Sequence, residues 1–229
     1  MESFKQFLRK IIPKAKSTKP YDDRESRARF ISKRFQNYLH NSVLDVGSSD
    51  NNLKNYITDE VNYVSVDITG DPTFKIDLEK EKLSKFEDNS FDTVVCTEVL
   101  EHLDNLHEVF DDLCRVSNKF VIISLPNNWL TFKFLLLKNT GSTKFYGLPL
   151  EKPLDRHKWF FNYEEALNFV KKRGEKNSFN IRFYFPVSLQ HFGLQIRLFN
   201  TFFRFYYKNK FGFNNTFFSS LWVLLEKLK

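Results

Sequence analysis

Short apolar runs that end in polar turns alternate with helical patterns through the first half of the chain. The runs are typical of buried β-strands and cover Ser42–Val46, Tyr63–Asp67, Thr73–Ile76, Phe91–Cys96 and Phe120–Leu125. Apolar residues at helical spacing lie between some of them, near Asn51–Ile57 and Leu106–Val116. This alternation predicts an α/β fold with a parallel sheet and right-handed crossover connections.

The segments before and after this alternating region show other patterns of apolar residues. Helices are predicted at residues 2–12, 22–39, 129–138 and 162–173, and two further strands at Asn180–Phe185 and Thr216–Glu226. Asn162 is a suitable N-cap for the last helix because its side chain can accept a backbone hydrogen bond. Pro13 and Pro20 bracket a basic linker, so we divide the chain into an amphipathic basic segment, residues 1–20, and one α/β domain, residues 21–229.

Composition limits the classes of protein that fit the chain. Its 229 residues are enough for one domain with a sizeable core. Cys96 and Cys114 lie in apolar periodic segments without metal or disulfide spacing, which indicates reduced core thiols in a cytoplasmic protein. The amino terminus lacks the continuous apolar core of a signal peptide. No apolar stretch approaches 18 residues, so we expect no membrane-spanning helix.

Basic residues are concentrated at both ends of the chain, whose formal net charge is +7. Residues 1–20 contain six Lys/Arg and one Glu, and residues 176–225 contain six Lys/Arg and no acid. Residues 179–218 also hold 15 aromatic side chains. Such a segment suits an interfacial helix, a lid over an apolar substrate pocket, stacking on nucleic-acid bases, or ordinary core contacts. Helical spacing from Leu194 to Phe205 favours the helix or the lid, so we expect an anionic membrane surface rather than nucleic acid as a partner.

The residues Ser42-Val-Leu-Asp-Val-Gly-Ser-Ser-Asp-Asn-Asn-Leu53 are the clearest candidate for a binding loop. An apolar run that ends in Asp-x-Gly and opens into a polar turn is typical of a strand that leads into a nucleotide-binding loop. A second strand ends in Asp67, about 20 residues beyond Gly47, where such folds place a carboxylate for ribose hydroxyls. The loop nevertheless contains one glycine where several are expected.

Four motifs occur in a fixed order along the chain. They are Val43-Leu-Asp-Val-Gly47, Val66-Asp-Ile68, Asn89-Ser-Phe-Asp-Thr-Val-Val-Cys-Thr-Glu-Val-Leu-Glu-His-Leu103 and Val121-Ile-Ile-Ser-Leu-Pro-Asn127. Together they resemble the class I S-adenosylmethionine-dependent methyltransferases over residues 40–228. The resemblance implies a doubly wound, seven-stranded, mostly parallel sheet of the Rossmann-like type. It also implies two variable segments, residues 139–158 and 186–215, that face the substrate or a membrane; the second is a helical aromatic insertion before the last strand.

The resemblance implies that S-adenosylmethionine is the cofactor and assigns its contacts. The cofactor-binding residues would be Asp45, Gly47, Ser48, Asp67, Ile68, Asp77, Leu78, Thr97 and Glu98. Asp45 and Gly47 would lie beside the amino-acid end of the cofactor. Asp67 would accept hydrogen bonds from both ribose hydroxyls, while Asp77 and the Leu78 backbone would recognise the adenine amine by hydrogen bonding.

The first motif departs from the family pattern. The family usually has Gly-x-Gly-x-Gly where this chain has Gly47-Ser-Ser-Asp-Asn51. Ser49 and Asn51 therefore add side chains where close approach is expected, although asparagine tolerates left-handed backbone geometry better than most residues.

His157, His102 and Glu98 are the candidates for catalysis. If Glu98-Val-Leu-Glu101-His102 begins a helix, Glu98, Glu101 and His102 share one face. We expect this cluster to act on the substrate side or structurally, without a metal; the alternative is a divalent ion on these three residues, as in two branches of the family. His157 precedes an aromatic strand and could serve as a general base near neutral pH.

We expect an enzyme that methylates oxygen on a small-molecule, glycan or lipid-linked acceptor. It would act in the cytoplasm, peripherally on the inner face of the membrane. One alternative is a metal-assisted RNA 2′-O-methyltransferase, suggested by the Glu-x-x-Glu-His cluster and the basic ends. Another is a non-catalytic scaffold or membrane-binding module, suggested by the missing glycines. The sequence leaves the oligomeric state open.

Overall fold

The computed structural model describes residues 20–138, 145–153, 155–188 and 213–228. The α-helices in these ranges are α1 (Arg24–Arg34), α2 (Leu106–Val116), α3 (Asn128–Lys138), α4 (Tyr163–Lys176) and α5 (Phe213–Phe217). The strands are β1 (Ser42–Val46), β2 (Asn62–Asp67), β3 (Phe74–Lys75), β4 (Phe91–Thr97), β5 (Ser117–Pro126), β6 (Phe179–Val187) and β7 (Ser220–Lys227). Short 3₁₀ turns cover Gln36–Tyr38, Asn52–Tyr56 and Leu100–His102.

The strands form a seven-stranded sheet in the order β3-β2-β1-β4-β5-β7-β6. The pairs among β1 to β5 are parallel, and β7 lies between β5 and β6, antiparallel to both. The predicted doubly wound, mostly parallel sheet is therefore confirmed. The strand order reverses between β1 and β4, and in open α/β sheets ligands bind at this switch point, beyond the carboxyl ends of the strands.

Each central strand is buried on both faces and divides its side chains between two apolar layers. Leu44 of β1 joins the layer beneath α2 and α4, which includes Phe110 and Tyr163. Val43, the neighbour of Leu44, joins the opposite layer with Phe35 and the fully buried Trp222. Alternation of side chains across a strand explains this division, and burial on both faces explains why the strands appear in the sequence as continuous apolar runs.

Several predicted element boundaries are wrong. The helix predicted at residues 22–39 ends at Arg34, followed by a 3₁₀ turn. The segment near Asn51–Ile57 is likewise a 3₁₀ turn rather than an α-helix, and it follows Asn51, whose backbone is left-handed. The strand predicted from Thr216 begins at Ser220, since the residues before it form the short helix α5.

Two helices begin with reciprocal side-chain caps. In α4, the Asn162 Oδ1 accepts from the Glu165 N–H at 3.0 Å and the Glu165 Oε2 accepts from the Asn162 N–H at 2.9 Å. The predicted cap is thus confirmed, and α4 extends to Lys176. In α1, Asp23 and Ser26 form the equivalent pair. These caps satisfy backbone donors that would otherwise lack partners.

Two predicted features lie outside the described residues. The amphipathic helix at residues 2–12 is one, and most of the aromatic insertion at residues 186–215 is the other. Within the described ranges, every helix is too short or too polar to cross a membrane.

One hydrogen bond joins the start of the described chain to its last strand. The Trp222 Nε1–H donates to the Tyr21 hydroxyl at 3.0 Å, and both side chains are buried. The Tyr21 oxygen also lies 3.4 Å from the Ser220 Oγ. The contact holds the segment before α1 against the sheet.

Replacing Tyr21 by phenylalanine is expected to lower the free energy of unfolding by about 1–3 kcal/mol, because the buried Trp222 N–H loses its partner. Urea unfolding followed by tryptophan fluorescence measures the change. Tyr184→Phe is the control, because that side chain is half exposed on β6. Equal unfolding midpoints for the two variants would contradict a stabilising role for the Tyr21 hydroxyl.

Candidate active site

A cleft of about 540 Å³ opens at the carboxyl ends of β1, β2 and β4. Its lining includes six of the residues assigned above to the cofactor, namely Gly47, Asp67, Ile68, Asp77, Leu78 and Glu98. His102 lines it as well, whereas His157 packs behind His102. The structure therefore brings residues from three of the four motifs, together with Asp77 and Leu78, to one edge of the sheet.

The loop after β1 keeps the backbone shape of a glycine-rich turn. Gly47 has φ 79°, and a Cβ added there would lie 2.1 Å from the Val99 Cγ2. Ser49 and Asn51 stand where the family has glycine, and both have left-handed φ angles of 51° and 56°. The Asn51 side chain donates a hydrogen bond to the Asp71 carbonyl, which helps to hold this geometry. Ser49 and Asn51 therefore adopt backbone angles that favour glycine, although each carries a side chain.

A glycine in the facing loop supplies a second close approach. Gly70, after β2, has φ 69°, and a Cβ there would lie 2.3 Å from the Ser49 carbonyl oxygen. The Asp71 N–H donates to the same oxygen at 3.3 Å. Sequence reasoning missed Gly70 because its partner is 21 residues away in the chain.

The Asp67 carboxylate is oriented by three donors at the end of β2. Its Oδ2 accepts from the Ser49 N–H at 2.8 Å, and its Oδ1 accepts from the Thr69 N–H at 2.7 Å and the Thr69 hydroxyl at 3.0 Å. Farther along the cleft, Asp77 forms an ion pair with Lys80 at 2.8 Å. The hydrogen bond from Lys80 lowers the pKa of Asp77, so this carboxylate stays charged.

Asp45 lies beneath the main cleft, in a smaller cavity of about 30 Å³ that Gly47, Ser48 and Thr97 also line. The Tyr63 hydroxyl donates to its Oδ2 at 2.6 Å. Burial raises the pKa of Asp45 to about 6, although the Tyr63 hydrogen bond opposes the change. The Ser48 Oγ is buried at this cavity and has no hydrogen-bond partner among the described residues.

Glu98 does not share a helix face with Glu101 and His102, so this prediction is wrong. Its φ angle of 57° is left-handed, and the 3₁₀ turn begins only at Leu100. The Glu98 side chain turns instead to β5, where its Oε1 accepts from the Ser124 hydroxyl at 3.1 Å. Burial raises the pKa of Glu98.

Glu101 is fully buried, and neither carboxylate oxygen has a hydrogen-bond partner among the described residues. The His102 Nε2 lies 3.9 Å from the Glu101 Oε1, beyond hydrogen-bond distance. Burial and the negative charge of Glu98 raise the pKa of Glu101 well above its ordinary value. An unpartnered carboxyl in the interior is costly, which suggests a functional reason for its presence.

His102 and His157 pack edge to face, with ring centroids 4.6 Å apart. The His102 Nδ1 lies 2.5 Å from the Asp155 Oδ1, a close contact without hydrogen-bond alignment. The His157 Nδ1 is 2.9 Å from the Tyr146 hydroxyl, and its ring stacks on Phe145. Burial, with a smaller effect of His102, lowers the pKa of His157 to about 4, so the ring is neutral at pH 7.

Sequence reasoning also missed the cations around the cleft. They are Arg24 and Arg27 on α1, and Lys152, Arg156 and Lys158 in the segment before α4. The Arg24 Nη1 donates to the Ser49 Oγ at 2.6 Å, which ties α1 to the loop after β1. The available signal was the helix predicted beside the binding loop, whose arginines could reach it.

A family model described as a methyltransferase domain matches residues 6–179 of the chain. The chain belongs to this methyltransferase family. The resemblance to the class I S-adenosylmethionine-dependent methyltransferases is confirmed, and so is the interpretation as an enzyme with S-adenosylmethionine as cofactor.

Solved structures with the same fold agree with this assignment. A SAM-dependent methyltransferase from Archaeoglobus fulgidus is 18% identical with a TM-score of 0.56, and the match covers 99% of each chain. Magnesium protoporphyrin IX methyltransferase from Synechocystis PCC 6803 with bound SAH is 16% identical with a TM-score of 0.52, over 90% of this chain and 82% of that one. Small RNA methyltransferase HEN1 is 17% identical with a TM-score of 0.56, over 90% of this chain and 25% of that one. At these identities the likeness shows the fold alone. Among curated protein sequences, none matches significantly.

Burial of Asp45 is expected to make the stability of the methyltransferase depend on pH. The pKa of Asp45 is 3.8 in its ordinary state and about 6 in the folded chain, so the folded state binds more protons between these values. Stability is therefore lost as the pH rises through this window.

Asp45→Asn keeps an acceptor for Tyr63 and removes the charge. It is expected to raise the free energy of unfolding by about 3 kcal/mol well above pH 6 and by much less near pH 4. Urea unfolding at both pH values measures the difference, with the exposed Asp59→Asn as control. A gain of the same size at both pH values would show that burial of the charge is not the cause.

Proposed function

We propose that this methyltransferase methylates a hydroxyl oxygen of a small-molecule, glycan or lipid-linked acceptor. The observation that supports the proposal best is His102, which lines the cleft with Asp155 2.5 Å from its Nδ1. An imidazole beside a carboxylate is suited to accept a proton from a hydroxyl.

The residues at the cleft fit S-adenosylmethionine. Gly47 packs tightly against Val99 and has no side chain, so its backbone forms part of the cleft wall. The Asp67 carboxylate is oriented by its hydrogen bond from the Ser49 N–H and lies where ribose hydroxyls can donate to it. We assign Ile68, Asp77 and Leu78 to the adenine end, and Asp45, Ser48 and Thr97, with Glu98 above them, to the amino-acid end. When bound, the cofactor supplies the sulfonium methyl group that is transferred.

His102 would take the proton of the acceptor hydroxyl as the oxygen is methylated. Asp155 stabilises the imidazolium that results, because the carboxylate places a negative charge next to the ring. His157 is neutral, bonded to Tyr146 and packed against His102, so we assign it to positioning the ring rather than to proton transfer. The lining position of Glu98 suits contact with the cofactor or the acceptor.

His102→Gln is expected to lower kcat by at least about 100-fold, because removing a general base typically costs 10²–10⁴-fold. Affinity for S-adenosylmethionine should change by less than about threefold, since the binding groups are retained. Labelled methyl transfer to hydroxylated lipids and glycans measures the rate, and calorimetry measures the affinity. His107→Gln is the control, because His107 packs between Trp159 and Phe169 away from the cleft. An unchanged kcat in His102→Gln would exclude His102 as the base.

A metal-assisted RNA 2′-O-methyltransferase is the second candidate. One ligand atom each from Glu101, His102 and His157 lies within 4.8 Å of the others, and the Glu101 oxygens have no other partner in the described chain. His157 thus takes the place that sequence reasoning gave to Glu98. Carboxylate and imidazole ligands suit Mg²⁺, Mn²⁺ or Zn²⁺, and a bound cation would lower the pKa of a ribose hydroxyl.

This candidate predicts a methyl-transfer rate on RNA that Mn²⁺ or Mg²⁺ restores after chelation. Glu101→Gln should remove the metal dependence, whereas Glu108→Gln, exposed on α2, should keep it. A rate that chelation leaves unchanged would exclude the metal-assisted mechanism.

An exposed apolar face supports a membrane-associated acceptor. Trp129, Phe132 and Leu136 follow one side of α3 and are 51%, 48% and 67% exposed. Leu148 and Leu150 are almost fully exposed in the segment that leads to the cleft residues Lys152 and Arg156. Apolar side chains next to cations are typical of surfaces that bind anionic lipid.

We expect the full chain to float with phosphatidylglycerol vesicles and not with phosphatidylcholine vesicles. Deleting residues 1–20 should weaken flotation, because two weak anchors hold a membrane much better than one. Replacing Trp129 and Phe132 by serine should weaken it further. If the full chain stays in solution with anionic vesicles, the membrane proposal fails.

A further inference from the structure

The segment before α4 is attached to the turn that carries His102. The Lys158 N–H donates to the Glu101 carbonyl at 2.8 Å, and the Asp155 Oδ1 lies 2.5 Å from the His102 Nδ1. Arg156 lies between these two contacts along the chain, and it lines the main cleft. The structure therefore holds Arg156 on the side of the cleft where the proposed base lies.

The acids of the main cleft already have partners. Each acid that lines it contacts a nitrogen or hydroxyl group of another described residue. The acids and their partners are Asp67 with the Ser49 and Thr69 N–H groups, Asp77 with Lys80, Glu79 with Lys158, Glu98 with Ser124, and Asp155 with His102. These carboxylates are therefore not waiting for the remaining cations of the cleft.

Two cations of the segment before α4 have no such partner. Lys152 and Arg156 are exposed in the lining of the cleft, and neither forms a hydrogen bond or an ion pair with a described residue. Lys158, in contrast, is held by two carboxylates at 2.7 and 2.5 Å. Arg27 also lacks an ion pair in the described chain, but it lies on α1, where it lines the inner cavity as well. The mouth of the cleft near His102 thus carries two available positive charges.

A phosphate group matches these two side chains. A guanidinium can donate two parallel hydrogen bonds to phosphate oxygens, and a lysine ammonium adds a compact charge. Nucleic acid fits less well, because its binding needs cations along an extended path. Leu148 and Leu150, almost fully exposed in the same segment, place apolar surface beside the charges. The mouth therefore suits a single phosphate, including one attached to a lipid.

We propose that Lys152 and Arg156 bind a phosphate group of the acceptor, so that the substrates are phosphorylated small molecules, glycans or lipids. The inference rests on the proposed function, because it takes the acceptor hydroxyl to bind beside His102. The phosphate then lies at the mouth of the cleft, and the hydroxyl points inward. Lys152 and Arg156 determine specificity among acceptors and take no part in the proton transfer.

Calorimetry of the full chain with pyrophosphate as the probe tests the anion site. The chain is first saturated with S-adenosylhomocysteine and should then bind one pyrophosphate per chain. Arg156→Gln and Lys152→Gln should each weaken this binding about 10-fold or more, the usual size for a hydrogen bond to a charged group. Lys171→Gln is the control, because it removes an exposed cation of α4 that does not line the cleft. Its affinity for pyrophosphate should be unchanged.

Affinity for S-adenosylhomocysteine should stay within about twofold of wild type in all three variants, which also shows that they fold. A loss of pyrophosphate binding in Lys171→Gln as large as in Arg156→Gln would show a general effect of charge and overturn the inference. Unchanged pyrophosphate binding in both Arg156→Gln and Lys152→Gln would overturn it too. So would a parallel loss of S-adenosylhomocysteine in Arg156→Gln, since the cation would then serve the cofactor.

Competition distinguishes the sources of the phosphate. Glycerol phosphate in solution and phosphatidylglycerol in vesicles both carry a phosphate ester near a hydroxyl. Displacement of pyrophosphate by glycerol phosphate supports a phosphorylated small molecule or glycan, and displacement by the vesicles alone supports a lipid. Failure of both to displace it would overturn the inference, whether or not an RNA oligonucleotide succeeds.

The inference and the proposed function fail in different experiments. If His102→Gln keeps its kcat while pyrophosphate binds as expected, the assignment of the base is wrong and the anion site is retained. If His102→Gln loses activity while Arg156→Gln and Lys152→Gln bind pyrophosphate like wild type, the base is retained and the anion site is wrong.

Discussion

The contact between the loops that follow β1 and β2 is the constraint on which the cleft depends. Asp67 accepts a hydrogen bond from the Ser49 N–H, while Gly70 lets the second loop reach the Ser49 carbonyl. Parallel strands β1 and β2 bring these loops to the same edge of the sheet, but only a close backbone approach holds them together. The left-handed backbone at Ser49 and Asn51 follows from this contact, since the local strain is offset by the hydrogen bonds around it.

Three acidic side chains are buried at the carboxyl edge of the sheet. Asp45, Glu98 and Glu101 all have raised pKa values because they lie in the interior. Such groups reduce stability, and a fold without a ligand site would have little reason to keep them. The packing of the two apolar layers and the Tyr21–Trp222 hydrogen bond stabilise the fold and offset this destabilisation.

Much of the fold could be predicted from the sequence because its strands are buried on both faces. Continuous apolar runs such as Ser42–Val46 identify central strands, and strict helical spacing identifies Leu106–Val116 with correct boundaries. The predicted element boundaries are wrong at places where one residue has a left-handed backbone within a segment of apparent helical spacing. A 3₁₀ turn in place of the predicted α-helix follows the left-handed Asn51, and the left-handed backbone of Glu98 separates its side chain from the turn after it.

The family, the cofactor and the strand ends that carry the candidate site can all be derived from the amino-acid sequence. These depend on short motifs whose residues are neighbours in the chain, so spacing alone reveals them. The three-dimensional packing shows how the missing glycines are accommodated, which residues lie beside Glu101, and which cations face the cleft. Gly70, His157 and Arg27 each lie beside residues that are far away in sequence, and spacing along the chain does not reveal which distant residues will be neighbours. The two loops, the segment before α4 and helix α1 all pack against one edge of the sheet. This packing brings residues that are distant in sequence close together.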